Sequence, residues 1–96
     1  MANKPKSVNR VILTGEWDLA RKDELIAALA LLTMDGPAVI DLRGVTYADS
    51  TVLGVLGALR LKFRAVPITL LGAQTQLLKV LKIAGFDKLF HIVDDD

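Results

Sequence analysis

The chain has no cysteine. A disulfide framework and a thiolate metal site are both excluded. It has a single histidine, His91, and one imidazole among scattered carboxylates makes a poor metal site. His91 also stands far along the chain from Ser50, so no Ser-His-Asp arrangement is suggested. Neither sign of charge is in excess: 12 Lys and Arg stand against 11 Asp and Glu. Nucleic acid and acidic membranes are therefore not indicated as partners. No apolar run reaches the roughly 18 residues of a membrane span. The first ten residues are polar, carry Lys4, Lys6 and Arg10, and lack the apolar core of a signal peptide. The glycines form neither a dinucleotide fingerprint nor a phosphate-binding loop. These absences point to a cytoplasmic protein without a cofactor and without catalytic activity.

What is present is apolar. Hydrophobic residues make up 52% of 96 positions, enough for one packed core and too short for a second. One domain over residues 1–96 is expected, with 1–7 frayed or a loose edge strand and 94–96 an acidic tail. Residues 8–14 alternate as a strand, with Val11 and Leu13 on one side and Ile12 on the other. Gly15-Glu16-Trp17-Asp18 is a turn into a helix with Asp18 as N-cap. Trp17 is either a core plug or an interface anchor.

That helix is expected over 19–33, with Leu25, Ile26, Leu29 and Leu32 as its buried stripe. Residues 38–42 read as a central strand, apolar on both faces as if covered by helices. Residues 45–48 bridge to a second helix over 50–64. Its inward stripe is Val52, Val55, Leu56, Leu59 and Phe63. Residues 68–71 form a third strand. A third helix over 75–84 turns Leu77, Val80, Leu81 and Ala84 inward and Lys79 and Lys82 outward. Gly85 suits a left-handed cap. Phe86 and Leu89 anchor the next turn, and 89–93 is a last strand. Strand and helix alternate throughout, which predicts an α/β sheet with right-handed crossovers.

The entry to the second helix holds Asp49, Ser50 and Thr51. Backbone N–H groups are unpaired there and the helix end is partly positive. An oxygen at that place either caps the helix or carries an anion, and a phosphoryl group on it would meet the same N–H groups. Ser50 is thus a cap or a modification site, with Thr51 as the other acceptor. Asp49 is a cap, or it orients the attacking hydroxyl or a kinase-bound cation. Asp41 and Arg43 are read as structural. The basic residues of the second half, Arg60 among them, form a solvated face or meet an acidic partner.

The run from Asp41 through Asp49-Ser50 to Leu53-Gly54-Val55-Leu56 resembles the signature of the STAS family, the sulphate transporter and anti-sigma-factor antagonist domains. Gly15-Glu16-Trp17-Asp18 is similar to that family's Gly-Glu-Leu-Asp element. The likeness extends from Val8 to Ile92. Val52 stands where many phosphorylated members carry glycine. The resemblance implies a single STAS-like domain, a small mixed β-sheet with helices packed mainly on one side. It implies an anti-sigma-factor antagonist, whose partner is an anti-sigma factor with serine-kinase activity and whose switch is phosphorylation at Ser50. The partner-binding set is then Asp49, Ser50, Thr51, Leu53, Gly54, Gly57 and Arg60. The alternative is a non-phosphorylated subunit, attached to the ATPase of a lipid-transport ABC complex or to scaffold STAS proteins. Sheet edges without obvious protecting charge leave a homodimer open.

Overall fold

The computed structural model describes residues 9–33 and 35–94. Four strands, β1 (Arg10–Trp17), β2 (Ala38–Ala48), β3 (Ile68–Leu71) and β4 (His91–Val93), form one sheet in the order β1-β2-β3-β4. The connections carry α1 (Lys22–Leu29), α2 (Ser50–Lys62) and α3 (Thr75–Ile83). Every neighbouring pair of strands is parallel. The mixed character expected of the sheet is therefore not seen among the described residues, and the frayed or edge-strand segment 1–7 lies outside them.

This strand order explains where the helices go. Each crossover steps one strand in the same direction, and right-handed crossovers of that kind leave all helices on one face. A single apolar core results. Val11, Leu13, Ile40, Leu42, Ile68 and Leu70 meet Leu25, Leu29, Leu56, Leu59 and Leu81 there. The opposite face of β2 is not covered by helices as expected. It carries the half-buried Val39 and the buried Asp41.

β2 is one continuous strand of 11 residues rather than a short strand and a bridge. Two register shifts against β1, between Ile12 and Thr14 and between Gly15 and Glu16, each put an extra residue on β2. A bulge reverses the alternation of faces. That is how Leu42 and Val45, an odd number of residues apart, both reach the core. Gly44 is required at the first shift, because a Cβ there would lie 2.8 Å from the Thr14 methyl. β1 likewise runs on to Trp17, through Gly15 at φ 87°. Only Ala38–Asp41 of β2 pair with β3. The rest of β2 pairs with β1 alone, so a two-stranded extension projects beyond the four-stranded part.

The helices are shorter than expected. The first begins as a 3-10 turn, Leu19–Arg21, capped by Asp18 through the Ala20 N–H at 3.0 Å. Leu25, Leu29 and Leu32 are buried, but Ile26 is exposed. The α2 stripe is buried as expected: Val52, Val55, Leu56, Leu59 and Phe63. On α3 only Leu81 is fully buried, while Val80 and Ala84 face solvent. A helix at the sheet margin buries a narrower stripe than one between neighbours. Gly85 adopts φ 81° and opens a second 3-10 turn, Phe86–Lys88. Phe90, not Leu89, is the buried anchor after it. Trp17 is a core residue, its Nε1–H donating to Thr14 O at 3.0 Å and its ring covered by the Arg21 guanidinium at 3.6 Å. Asp94 is exposed, and the rest of the acidic tail lies outside the described residues.

Candidate functional site

The corner between β2 and α2 is pinned from both sides. The Asp49 N–H donates to Trp17 O at 3.2 Å, which ties the end of β2 to the end of β1. The Asp49 carboxylate accepts from the Thr51 N–H at 2.8 Å, and its carbonyl accepts from the Val52 N–H at 3.0 Å. Asp49 is thus the N-cap of α2, with extended backbone before a helical turn. This relieves Ser50 of the capping role. Ser50 is the first residue of the helix and is exposed. Among the described residues, no hydrogen bond engages its hydroxyl.

Thr51 is half-buried beside it. Val52 is directed into the core and almost wholly buried. The Val52 side chain therefore lies beneath the helix, not beside Ser50. Leu53 packs partly against the core, Gly54 is exposed, and a Cβ on Gly57 would meet only the Phe86 ring edge at 3.9 Å. Ser50, Thr51, Leu53, Gly54 and Gly57 are all exposed or half-buried on the first two turns of α2.

Arg60 has other work. Its guanidinium donates to Phe63 O at 2.6 Å, Arg64 O at 2.9 Å, Val66 O at 2.7 Å and Leu89 O at 3.1 Å. It closes the C-terminal end of α2, where carbonyls lack helical partners, and ties it to the turn before β4.

Asp41 and Arg43 form a pair on the helix-free face. Asp41 is 2% exposed, and Arg43 reaches it through Nε at 3.0 Å and a terminal nitrogen at 2.6 Å. The Arg43 N–H adds a bond of 3.0 Å. The Arg43 side chain holds the Asp41 carboxyl below the usual carboxylate range, against the opposing effect of burial. Arg43 can lie this way because Gly72, at φ 71°, leaves the space that a methyl would take from it.

Two surface depressions flank the corner, and neither is evident from the sequence. One, of about 430 Å³, lies between the tip of β2 (Val45, Thr46, Tyr47, Ala48) and the start of α3 (Gln74, Thr75, Gln76, Leu77). The other is an apolar trough of about 780 Å³ between α1 and α2, walled by Leu19, Ile26, Gly54, Ala58 and the stems of Lys22 and Lys62. The spacing of Leu19, Lys22 and Ile26 on one side of a helix is the signal for it, hidden because Ile26 also fits the buried stripe. His91, on the edge strand β4, is exposed and belongs to neither depression.

No curated protein matches the chain. The family model described as Mlab, STAS domain matches residues 1–94, which takes in the capped corner, the Gly-Glu-Trp-Asp element and all four strands. The chain belongs to the STAS domain family, whose members are generally binding modules rather than enzymes.

Proposed function

We propose that the chain is an anti-sigma-factor antagonist, whose β2–α2 corner docks an anti-sigma factor with serine-kinase activity and whose complex ends when Ser50 is phosphorylated. One observation supports this reading above others: Asp49 caps α2 and leaves the Ser50 hydroxyl exposed on its first turn. Phosphate adds about −1.5 to −2 charges at neutral pH. Beside Asp49 those charges repel carboxylates of a docked partner and must be stripped of water in the interface. Within the domain the positive end of α2 offsets part of the cost, by about 0.3–2 kcal/mol. The fold stays while the partner leaves. Thr51, Leu53, Gly54 and Gly57 extend the contact surface along α2, with Asp49 at its edge. Arg60 stands apart from this surface, engaged with carbonyls at the far end of the helix.

Binding of the purified kinase to three forms tests this. Ser50→Ala is expected to bind in the presence of ATP as well as in its absence. Ser50→Asp is expected to bind at least tenfold more weakly than wild type. Equal binding by both variants overturns the reading. A single phosphate found by mass spectrometry on Thr51 instead moves the switch by one residue.

A second reading treats the same corner as a fixed docking surface on the ATPase of a lipid-transport ABC complex, or on a scaffold of STAS proteins. Val52 in the place of the glycine of many phosphorylated members favours it. Co-purification from the native cell separates the two: an ABC-type ATPase on one side, a histidine-kinase-like ATPase on the other.

A further inference from the structure

The sheet is incomplete along the tip of β2. Ala38–Asp41 pair with β3, but the main chain of residues 44–48 pairs with β1 alone among the described residues. On the other side β3 stops at Leu71, and Gly72 turns the chain away at φ 71°. The Gln74 side-chain amide then donates to Arg43 O at 3.3 Å. Beyond that bond no strand flanks β2 on this side among the described residues. The depression of about 430 Å³ lies in its place, with Val45, Thr46 and Tyr47 on one side and Gln76, Leu77 and Val80 on the other.

Main-chain N–H and C=O groups along an open edge are a template for a further strand. Such edges are commonly blunted by charge or proline, and residues 44–48 hold neither. The far wall suits an extended segment as well. Leu77 is half-buried and Val80 is 40% exposed, so α3 presents apolar surface that the sheet leaves uncovered. A strand laid between the two walls turns alternate side chains to opposite faces, one set onto Leu77 and Val80 and the other to solvent.

Charge narrows the choice of occupant. Among the described residues no carboxylate lines the depression. Lys79 follows Gln76 by three positions and Thr75 by four, which sets it beside them on the surface of α3. It is exposed and has no ion-pair partner among the described residues. An acidic segment complements this rim. A second copy does not fit. Pairing two such edges about a two-fold sets Ala48 of one copy opposite Gly44 of the other, and α2 of the first would then begin where Gly72 and Gln74 already stand.

We infer that the groove between residues 44–48 and α3 takes up an extended segment of another protein, in which acidic and apolar side chains alternate, as an added strand hydrogen-bonded to β2. This rests on the open edge and its far wall, not on the phosphorylation of Ser50, and its test involves no kinase.

The probe is the acetylated and amidated pentapeptide Glu-Val-Glu-Val-Glu, titrated into the isotope-labelled full chain and followed by amide NMR. A dissociation constant below about 1 mM is expected, with shifts confined to residues 44–48 and the first two turns of α3. N-methylation of the peptide reads the main chain. In an added strand only every second N–H faces its neighbour. Methylating the valines and methylating the glutamates are therefore expected to differ, one abolishing binding and the other sparing it. Val80→Glu is expected to weaken binding about tenfold. Lys79→Glu is expected to reverse the preference for this peptide over Lys-Val-Lys-Val-Lys, while circular dichroism shows both variants folded. No binding overturns the inference, as do shifts in the α1–α2 trough instead or equal loss from both methylated peptides. So does a dimer in which the resonances of residues 44–48 depend on protein concentration, which would give the edge to a second copy.

Discussion

Arg43 lies across Gly72 and clamps a carboxylate that has almost no contact with water. Because Gly72 is at φ 71° and in contact with Arg43, Gly72→Ala is strained on both counts. It is expected to displace the guanidinium and lower the thermal midpoint by several degrees. Arg43→Ala leaves the Asp41 charge buried with one backbone N–H. The expected loss is about 2–3 kcal/mol by urea titration, less than the roughly 3–5 kcal/mol of a wholly buried pair, since Arg43 is half in water. The pH dependence has a definite sign. Arg43 lowers the Asp41 pKa on folding. A group depressed in this way contributes stability above its unfolded value of about 3.9 and loses it as pH falls through the folded value. Stability should therefore decline below about pH 4, and Asp41→Asn should flatten that decline in unfolding curves taken at a series of pH values. At Ser50 the expectation is different. The side chain is exposed and makes no bond among the described residues, so Ser50→Ala should shift the melting temperature by no more than about 0.5 kcal/mol would.

Among the elements, α2 was the most legible. Its four buried residues and the buried Phe63 at its C-cap recur at the helical period, and Asp49 was readable as a cap. The sequence did not reveal which of two adjacent capping residues acts, because Asp and Ser serve nearly equally well. β2 was half legible. Its alternation breaks at the bulge near Gly44, and a pattern that breaks looks like a strand that ends. Ile26 and Val80 were misplaced for another reason. The period of a helix locates an apolar stripe but not its width, which depends on how many neighbours flank the helix. Arg60 could not be read at all, since its four carbonyl partners lie on loops spread between Phe63 and Leu89. Arg60→Ala is expected to cost about 1–2 kcal/mol and to loosen the Phe86–Phe90 turn along with the end of α2. Partner binding at Ser50, on the opposite end of the helix, should change little; isothermal titration against the partner checks this.

At the scale of the whole molecule, the sheet is wound in one direction and its four strands are unequal. β2 has 11 residues, whereas β3 has four and β4 has three. The described residues accordingly fill an elongated volume of 42 × 25 × 25 Å. Beyond Asp41, β2 leans on a single neighbour. A ribbon held along one edge opens more readily than a strand flanked on both. Amide protons from Val45 to Ala48 should therefore trade with deuterated solvent well before those from Val39 to Asp41. Ser50 stands past the end of that ribbon, on a helix whose next residue but one is sealed in the core, so the domain offers it as a fixed peg and any adjustment on docking falls to the visitor.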